Sequence, residues 1–412
     1  MTKPDPPMRS DADPDEADRS QAAPVAGPVA LRPAYSWRAM AYVGIAMLLQ
    51  DKLKFAGILV GVIVAVVLSN QQTATFLGLL GKNTMLARHA GADIWIAPPR
   101  TEILQAGGTI PDSVLWTARS TPGVAWAAPI LMGGGNLNLP TGGSQPVTII
   151  GVELPAGRGG PWNVVGGDVR RLSQPDAMVF EDSEREHLGG LNLGSVRELN
   201  GHRVQAVAFT SGLLPFGPSY AFTSFDTARE IMHVENHRVS YVLVGVRPGV
   251  EPEAVADGLR QRLQSERVMT RAQVERSTFK YLVTRTPIGL TMGTSALFGV
   301  LVGFIVVSLT LFSAVVDRTR EFGTLKAIGA TNRDLARLLV TQAVTVALVG
   351  WLIGQTLVIF IIQGIRSPRL PLGLPLWMVP LTLGAMVLLC VGASTLALLR
   401  VRKVEPGMVF RG

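Results

Sequence analysis

Three apolar runs near the end of the chain, residues 288–316, 339–365 and 374–399, contain no Asp, Glu, Lys, Arg or His. An α-helix needs about 20 consecutive apolar residues to cross the hydrocarbon core of a bilayer, and each run is longer than that. A fourth, earlier run is less regular. It is apolar from Phe55 to Leu68, meets Asn70, Gln71, Gln72 and Thr73, and becomes apolar again over residues 76–80. That polar patch either emerges into water or faces protein. The runs predict an α-helical membrane protein with four transmembrane helices and a long segment inserted between the first and second.

With 48% hydrophobic and 17% charged residues over 412 positions, the chain must mix membrane and soluble parts. The net charge of +8 comes without a basic run interleaved with aromatics, so no nucleic-acid partner is expected. The excess of Lys and Arg sits instead at span ends. Arg38, Lys52 and Lys54 precede the first span, Arg318, Arg320, Lys326, Arg333 and Arg337 fill the second connection, and Arg400, Arg402 and Lys403 follow the fourth. Basic residues mark cytoplasmic flanks. Four spans therefore put both termini and the second connection in the cytoplasm, and residues 81–285 outside, while Arg366 and Arg369 in the short third connection run against the rule without outweighing the other groups. The single cysteine, Cys390, lies in an apolar run and excludes an internal disulfide.

Four regions follow. Residues 1–34 read as a disordered cytoplasmic tail, since residues 1–33 hold seven prolines and many aspartates with almost nothing to bury. No apolar stretch follows a basic start before Phe55, so the first span reads as a retained anchor and not a signal peptide. Residues 35–80 read as an interfacial helix followed by the first span, because apolar and charged residues mix over 37–53. Residues 81–285 read as an extracytoplasmic α/β domain. Strands are expected at 92–96, 124–130, 147–152, 177–181, 204–209 and 240–246, with helices at 111–120, 226–234 and 251–264 and Gly-rich loops at 133–135 and 157–160. Residues 286–412 hold the three clustered spans and a cytoplasmic C-terminus.

Two spacings invite chemistry. His233 and His237 stand four apart, as in helical zinc sites, but Val234 occupies the position where metalloproteases carry glutamate, and Asn236 and Arg238 suggest a helix end. We therefore expect no metal there. Glycines four apart at Gly57 and Gly61, Gly289 and Gly293, Gly299 and Gly303, and Gly350 and Gly354 allow close helix packing, within one subunit or between two. No Gly-rich phosphate cradle followed by Lys and Ser or Thr occurs, the nearest fragment being Gly78 to Asn83 with the wrong spacing.

Between the second and third apolar runs lies DRTREFGTLKAIGATNRDLARL, residues 317–338. Over 318–328 it is amphipathic, with Phe322, Leu325 and Ile328 on one face, and Gly329 ends the helix. Thr331 and Asp334 read as a capping box opening the next helix. The stretch REFGTLKAIGATNRDL closely resembles the coupling-helix signature of FtsX/MacB-type ABC transporter permeases, of the separate-permease, DevC-like branch. The layout of one span, a long outer domain, three spans and a basic tail is similar to that family as well. The resemblance implies a homodimer in the cell inner membrane served by a separate ABC ATPase that binds ATP and Mg, so that this chain is no enzyme and holds no cofactor. It also implies a MacB-like periplasmic core meeting a periplasmic adaptor and an outer-membrane channel, for export of an unread substrate. The ATPase-contacting residues it implies are Arg318, Arg320, Glu321, Phe322, Gly323, Leu325, Lys326, Ile328, Gly329, Ala330, Thr331 and Arg333. A membrane-anchored extracytoplasmic enzyme and a non-transporting mechanotransmitter or sensor are the alternatives.

Overall fold

The computed structural model describes residues 37–104, 108–154, 158–365 and 372–402. The tail expected at 1–34, Gly157, Arg366, Arg369 and Lys403 lie outside the described residues. The chain opens with α1 (Trp37–Gln50) and α2 (Lys52–His89), followed by β1 (Ile94–Ala97), β2 (Ile110–Pro111), α3 (Ser113–Arg119), β3 (Val124–Asn138) and β4 (Ser144–Val152). Next come β5 (Val164–Gly167), β6 (Ala177–Glu181), β7 (Val196–Leu199), β8 (His202–Thr210), β9 (Ser219–Ser224), α4 (Phe225–Met232), β10 (Arg238–Val239) and β11 (Tyr241–Val246). The last elements are α5 (Pro252–Arg262), β12 (Arg267–Thr270), α6 (Arg271–Thr284), α7 (Pro287–Asp317), α8 (Thr319–Ala327), α9 (Asn332–Ile365) and α10 (Met378–Arg402).

Among the described residues four helices are long and apolar enough to cross a membrane: α2, α7, α9 and α10. The polar patch does not interrupt α2. Asn70 is fully buried in the bundle and donates through Nδ2 to the Val66 carbonyl at 3.0 Å and to Gln355 Oε1 of α9 at 3.3 Å. Nor does the helix stop at residue 80. Its 38 residues, at 1.5 Å each, make a rod about 57 Å long, well beyond a hydrocarbon core of about 30 Å. The far end carries Leu86 and Ala87 into the hydrophobic core of the α/β domain.

Glycine lets α2 approach its neighbours. A Cβ on Gly61 would lie 2.6 Å from Val306 Cγ1, one on Gly299 2.9 Å from Leu68 Cβ, and one on Gly303 2.6 Å from Ala65 Cβ, so these three glycines seat α2 against α7. Gly350 and Gly354 do the same for α9 against Val62 and Val66. At Gly57 a Cβ would meet nothing within 4 Å, so this glycine makes no close helix contact within the chain.

The inserted domain is a mixed sheet in the order β12-β1-β11-β3-β4-β9-β6-β8-β5, with β7 pairing with both β3 and β8. Most neighbours are antiparallel, while β4 with β9 and β6 with β8 are parallel. Helices α3 and α5 contribute Val114, Leu115, Val255 and Leu259 to a core with the β1, β3 and β11 side chains, and α4 covers the other half of the sheet. The β7–β8 hairpin turns on Asn200 and Gly201, both at positive φ (52° and 82°), as a two-residue turn matching strand twist requires. Residues 133–135, read from the sequence as a loop, lie within β3 and pair with β4. At Gly133 and Gly135 the space is taken: a Cβ on Gly133 would meet Met232 Sδ at 2.4 Å, and one on Gly135 would meet Ile149 Cδ1 at 2.7 Å, while Gly134 between them faces open space.

The domain returns to the membrane through α6, whose first turn is closed by a capping box between Thr270 and Gln273. Helix α6 runs beside the end of α2. Phe76 and Phe279 meet edge to face with centroids 5.7 Å apart, and Arg88 pairs with Glu275 through two hydrogen bonds of 2.9 and 3.3 Å.

Candidate functional site

At the opposite end of the bundle, α7 gives way to α8 through Arg318. The C-terminus of α8 is a Schellman motif. Ala330 N–H donates to the Leu325 carbonyl at 2.9 Å, Gly329 N–H donates to Lys326 at 3.0 Å, and Gly329 takes φ 104°. Helix α9 starts on the reciprocal box read from the sequence. Thr331 N–H donates to Asp334 Oδ2 at 3.0 Å and Asp334 N–H donates to Thr331 Oγ1 at 3.3 Å, while Arg337 pairs with the other Asp334 oxygen at 3.3 Å. Two consecutive caps fix the turn from Ile328 to Thr331 with little freedom of its own.

The apolar face of α8 divides between interior and surface. Phe322 is 2% exposed and joins a core with Met47 and Leu48 of α1, Ile58 of α2 and Leu311 and Val315 of α7, with Leu325 packed against it. Phe322 is therefore engaged by its own chain and is not free to fill a partner's pocket. Gly323 and Ala330 are also buried. Ile328 is 61% exposed, and with Arg320, Glu321, Gly329, Thr331 and Arg333 it forms the accessible face. Arg318 is largely covered, pairing with Glu321 at 3.7 Å and donating to Gln50 Oε1 at 3.3 Å. Lys326 is half-buried.

That Gln50 contact belongs to an elbow between α1 and α2. Asp51 caps α2 by accepting from Lys54 N–H at 3.2 Å, and the Lys54 ammonium pairs with Asp51 at 3.1 Å and with Asp317 at the end of α7. Hydrogen bonds from Lys54, backbone first, hold the Asp51 carboxyl below its usual range. Helix α1 is further fixed to α9, since Gln342 donates to the Gly44 carbonyl at 3.0 Å and a Cβ on Gly44 would press 3.2 Å from the Leu338 carbonyl oxygen. The sequence shows the local Asp51–Lys54 spacing, but nothing in it points to Asp317 or Gln50.

The histidine pair does not form a helical site. His233 is the left-handed cap that ends α4 (φ 51°), and His237 (φ 63°) lies beyond it, within 3.1 Å of Asp112.

An α/β domain carried between the first and second of four apolar helices, with a doubly capped amphipathic helix between the second and third, defines a polytopic permease. Residues 56–262 match the family model for MacB-like periplasmic core domains, and residues 293–406 match that for FtsX-like permease C-terminal domains. The chain belongs to the FtsX/MacB-type family of ABC transporter permeases.

It is 27% identical over 139 residues to an uncharacterised ABC transporter permease protein of Mycobacterium tuberculosis, covering 34% of this chain and 15% of that one. It is 30% identical over 143 residues to the pyoverdine export ATP-binding/permease protein PvdT of Pseudomonas entomophila, covering 34% of this chain and 22% of that protein. The matched segments are thus a minor part of each relative. Among solved structures, the periplasmic region of MacB from Actinobacillus actinomycetemcomitans aligns with 45% of this chain and 94% of its own at 11% identity and a TM-score of 0.35.

Proposed function

We propose that this chain is the transmembrane subunit of an ABC exporter that receives force from a separate ATPase at α8 and passes it along α2 and α7 to the α/β domain. The observation that carries the reading is the continuity of α2. One rod begins at Lys52 beside α8 and, just before its end at His89, places Leu86 and Ala87 in the core of the inserted domain, packed along its way against α7. A rod anchored at both ends moves one when the other is pushed. In this reading ATP and Mg bind on the partner, which meets Arg320, Glu321, Ile328, Gly329, Thr331 and Arg333. Both termini lie on the ATPase side of an inner membrane, and the α/β domain lies outside. Two copies of the chain work together, and the outer domain meets a periplasmic adaptor leading to an outer-membrane channel.

The test has two parts. Single cysteines at Ser144 and Thr331, both exposed, are introduced with Cys390 replaced. An impermeant thiol reagent applied to intact spheroplasts should label the first and not the second. An ABC ATPase should co-purify with the wild-type chain in mild detergent. Labelling at Thr331 alone would overturn the orientation, and purification without an ATPase would overturn the coupling.

A further inference from the structure

A side-chain cluster on the α/β domain stands apart from the coupling end. Asp176, His202 and Glu230 come from three different elements, the turn before β6, the start of β8 and the body of α4. One ligand atom from each lies within 4.8 Å of the other two. His202 Nε2 already stands 2.6 Å from Asp176 Oδ1, and both side chains are half-buried.

The backbone holds these three points in fixed relation. Asp176 takes a left-handed conformation (φ 61°). Its carbonyl accepts from Gln205 N–H of β8 at 2.8 Å, and its N–H donates to Thr227 Oγ1 of α4 at 3.4 Å. His202 follows the tight Asn200-Gly201 turn. Two carboxylates converge on one imidazole, and the Glu230 carboxylate forms no hydrogen bond or ion pair among the described residues. The nearest sequence candidate, Arg229, directs its guanidinium over the Phe225 ring at 4.8 Å.

We propose that Asp176, His202 and Glu230 bind a divalent transition-metal cation, zinc by preference. Carboxylate oxygen and imidazole nitrogen are both zinc donors, and three protein ligands leave a fourth position for water. The imidazole favours zinc over calcium or magnesium, which prefer oxygen donors alone. A cation held between Nε2 and Oδ1 takes a lone pair from each and faces the Glu230 carboxylate as well. It ties α4 to β8 and the β6 turn. The site is independent of the transport reading and of the His233–His237 spacing.

The experiment uses the full chain in detergent with any affinity tag removed, stripped with a chelator and equilibrated with micromolar zinc. Metal retained after gel filtration is then counted by mass spectrometry. One zinc per chain is expected in the wild type, with at least tenfold weaker binding in His202→Ala and in Glu230→Gln, and no competition from millimolar magnesium. Glu230 is exposed on α4, so E230Q keeps its fold, and circular dichroism confirms this for both variants. Cobalt in place of zinc should give visible absorption bands that E230Q alters. Sub-stoichiometric zinc in the wild type, or zinc retained at full affinity by folded E230Q, would mean an adventitious ion only and would overturn the site.

Discussion

Lys54 and Asp317 stand 263 positions apart in sequence and form an ion pair that joins the start of the first membrane helix to the end of the second. The pair lies one residue from Arg318, where α8 begins, and Lys54 also grips Asp51 at the α1–α2 elbow. Exposed ion pairs add little to stability, so the value of this one lies in where it ties the chain. We predict that Lys54→Asp and Asp317→Lys each lower transport per ATP hydrolysed without lowering the amount of folded protein. The combined exchange should restore coupling, measured as substrate moved per phosphate released in proteoliposomes. Two additive losses would show that the residues act separately.

Phe322 and Ile328 are both apolar and both on α8, yet they should fail in different ways. Phe322→Ala leaves a cavity among Met47, Ile58 and Leu311, and should destabilise the bundle by about 3–5 kcal/mol. Ile328→Asp touches an exposed position and should leave the melting temperature unchanged while removing the ATPase from the purified complex. Loss of the ATPase from F322A at full stability, with retention by I328D, would reverse the two roles.

The glycines offer an internal comparison. Gly303→Val forces a larger side chain onto Ala65 and the Gly61 carbonyl, and should cost about 1–3 kcal/mol through displaced helices. Gly57→Ala meets open space and should be neutral or slightly stabilising, because alanine is the better helix former. Thermal unfolding in the same detergent separates them. Equal effects at the two positions would mean that Gly57 is covered by another molecule.

Local patterns were readable where the physics is local. The run 177–181 forms β6 with the same bounds, and the Thr331–Asp334 box is formed as spaced. Ile328 and Phe322 share a helical period, but which of them is covered depends on α1, almost 300 positions away, and periodicity carries no such information. Gly133 to Gly135 look like a loop by composition, because glycine usually marks flexibility. At Gly133 and Gly135 it marks crowding by Met232 and Ile149, which only the folded sheet reveals. The polar stretch from Asn70 could by sequence emerge into water or face protein, and the contact of buried Asn70 with Gln355 decides for protein. His202 has no ligand partner close to it in sequence, since Asp176 and Glu230 approach it only through the pairing of β6 with β8 and the return of α4.

The two supports of the α/β domain, α2 and α6 with α7, are packed together by Phe76 against Phe279, by Arg88 with Glu275, and by the glycine contacts lower down. Interlocked helices of this kind transmit a push as one body, because sliding would break contacts made at van der Waals distance. A bifunctional thiol reagent joining cysteines at positions 76 and 279, with Cys390 replaced, should span the gap that the two rings fill. Transport and ATP hydrolysis should both stay near the uncross-linked rate. If complete cross-linking stopped transport while hydrolysis continued, the stroke would require α2 to move against α6. Force would then reach the domain by a difference in motion between its two supports, and the single-rod account of transmission would have to be abandoned.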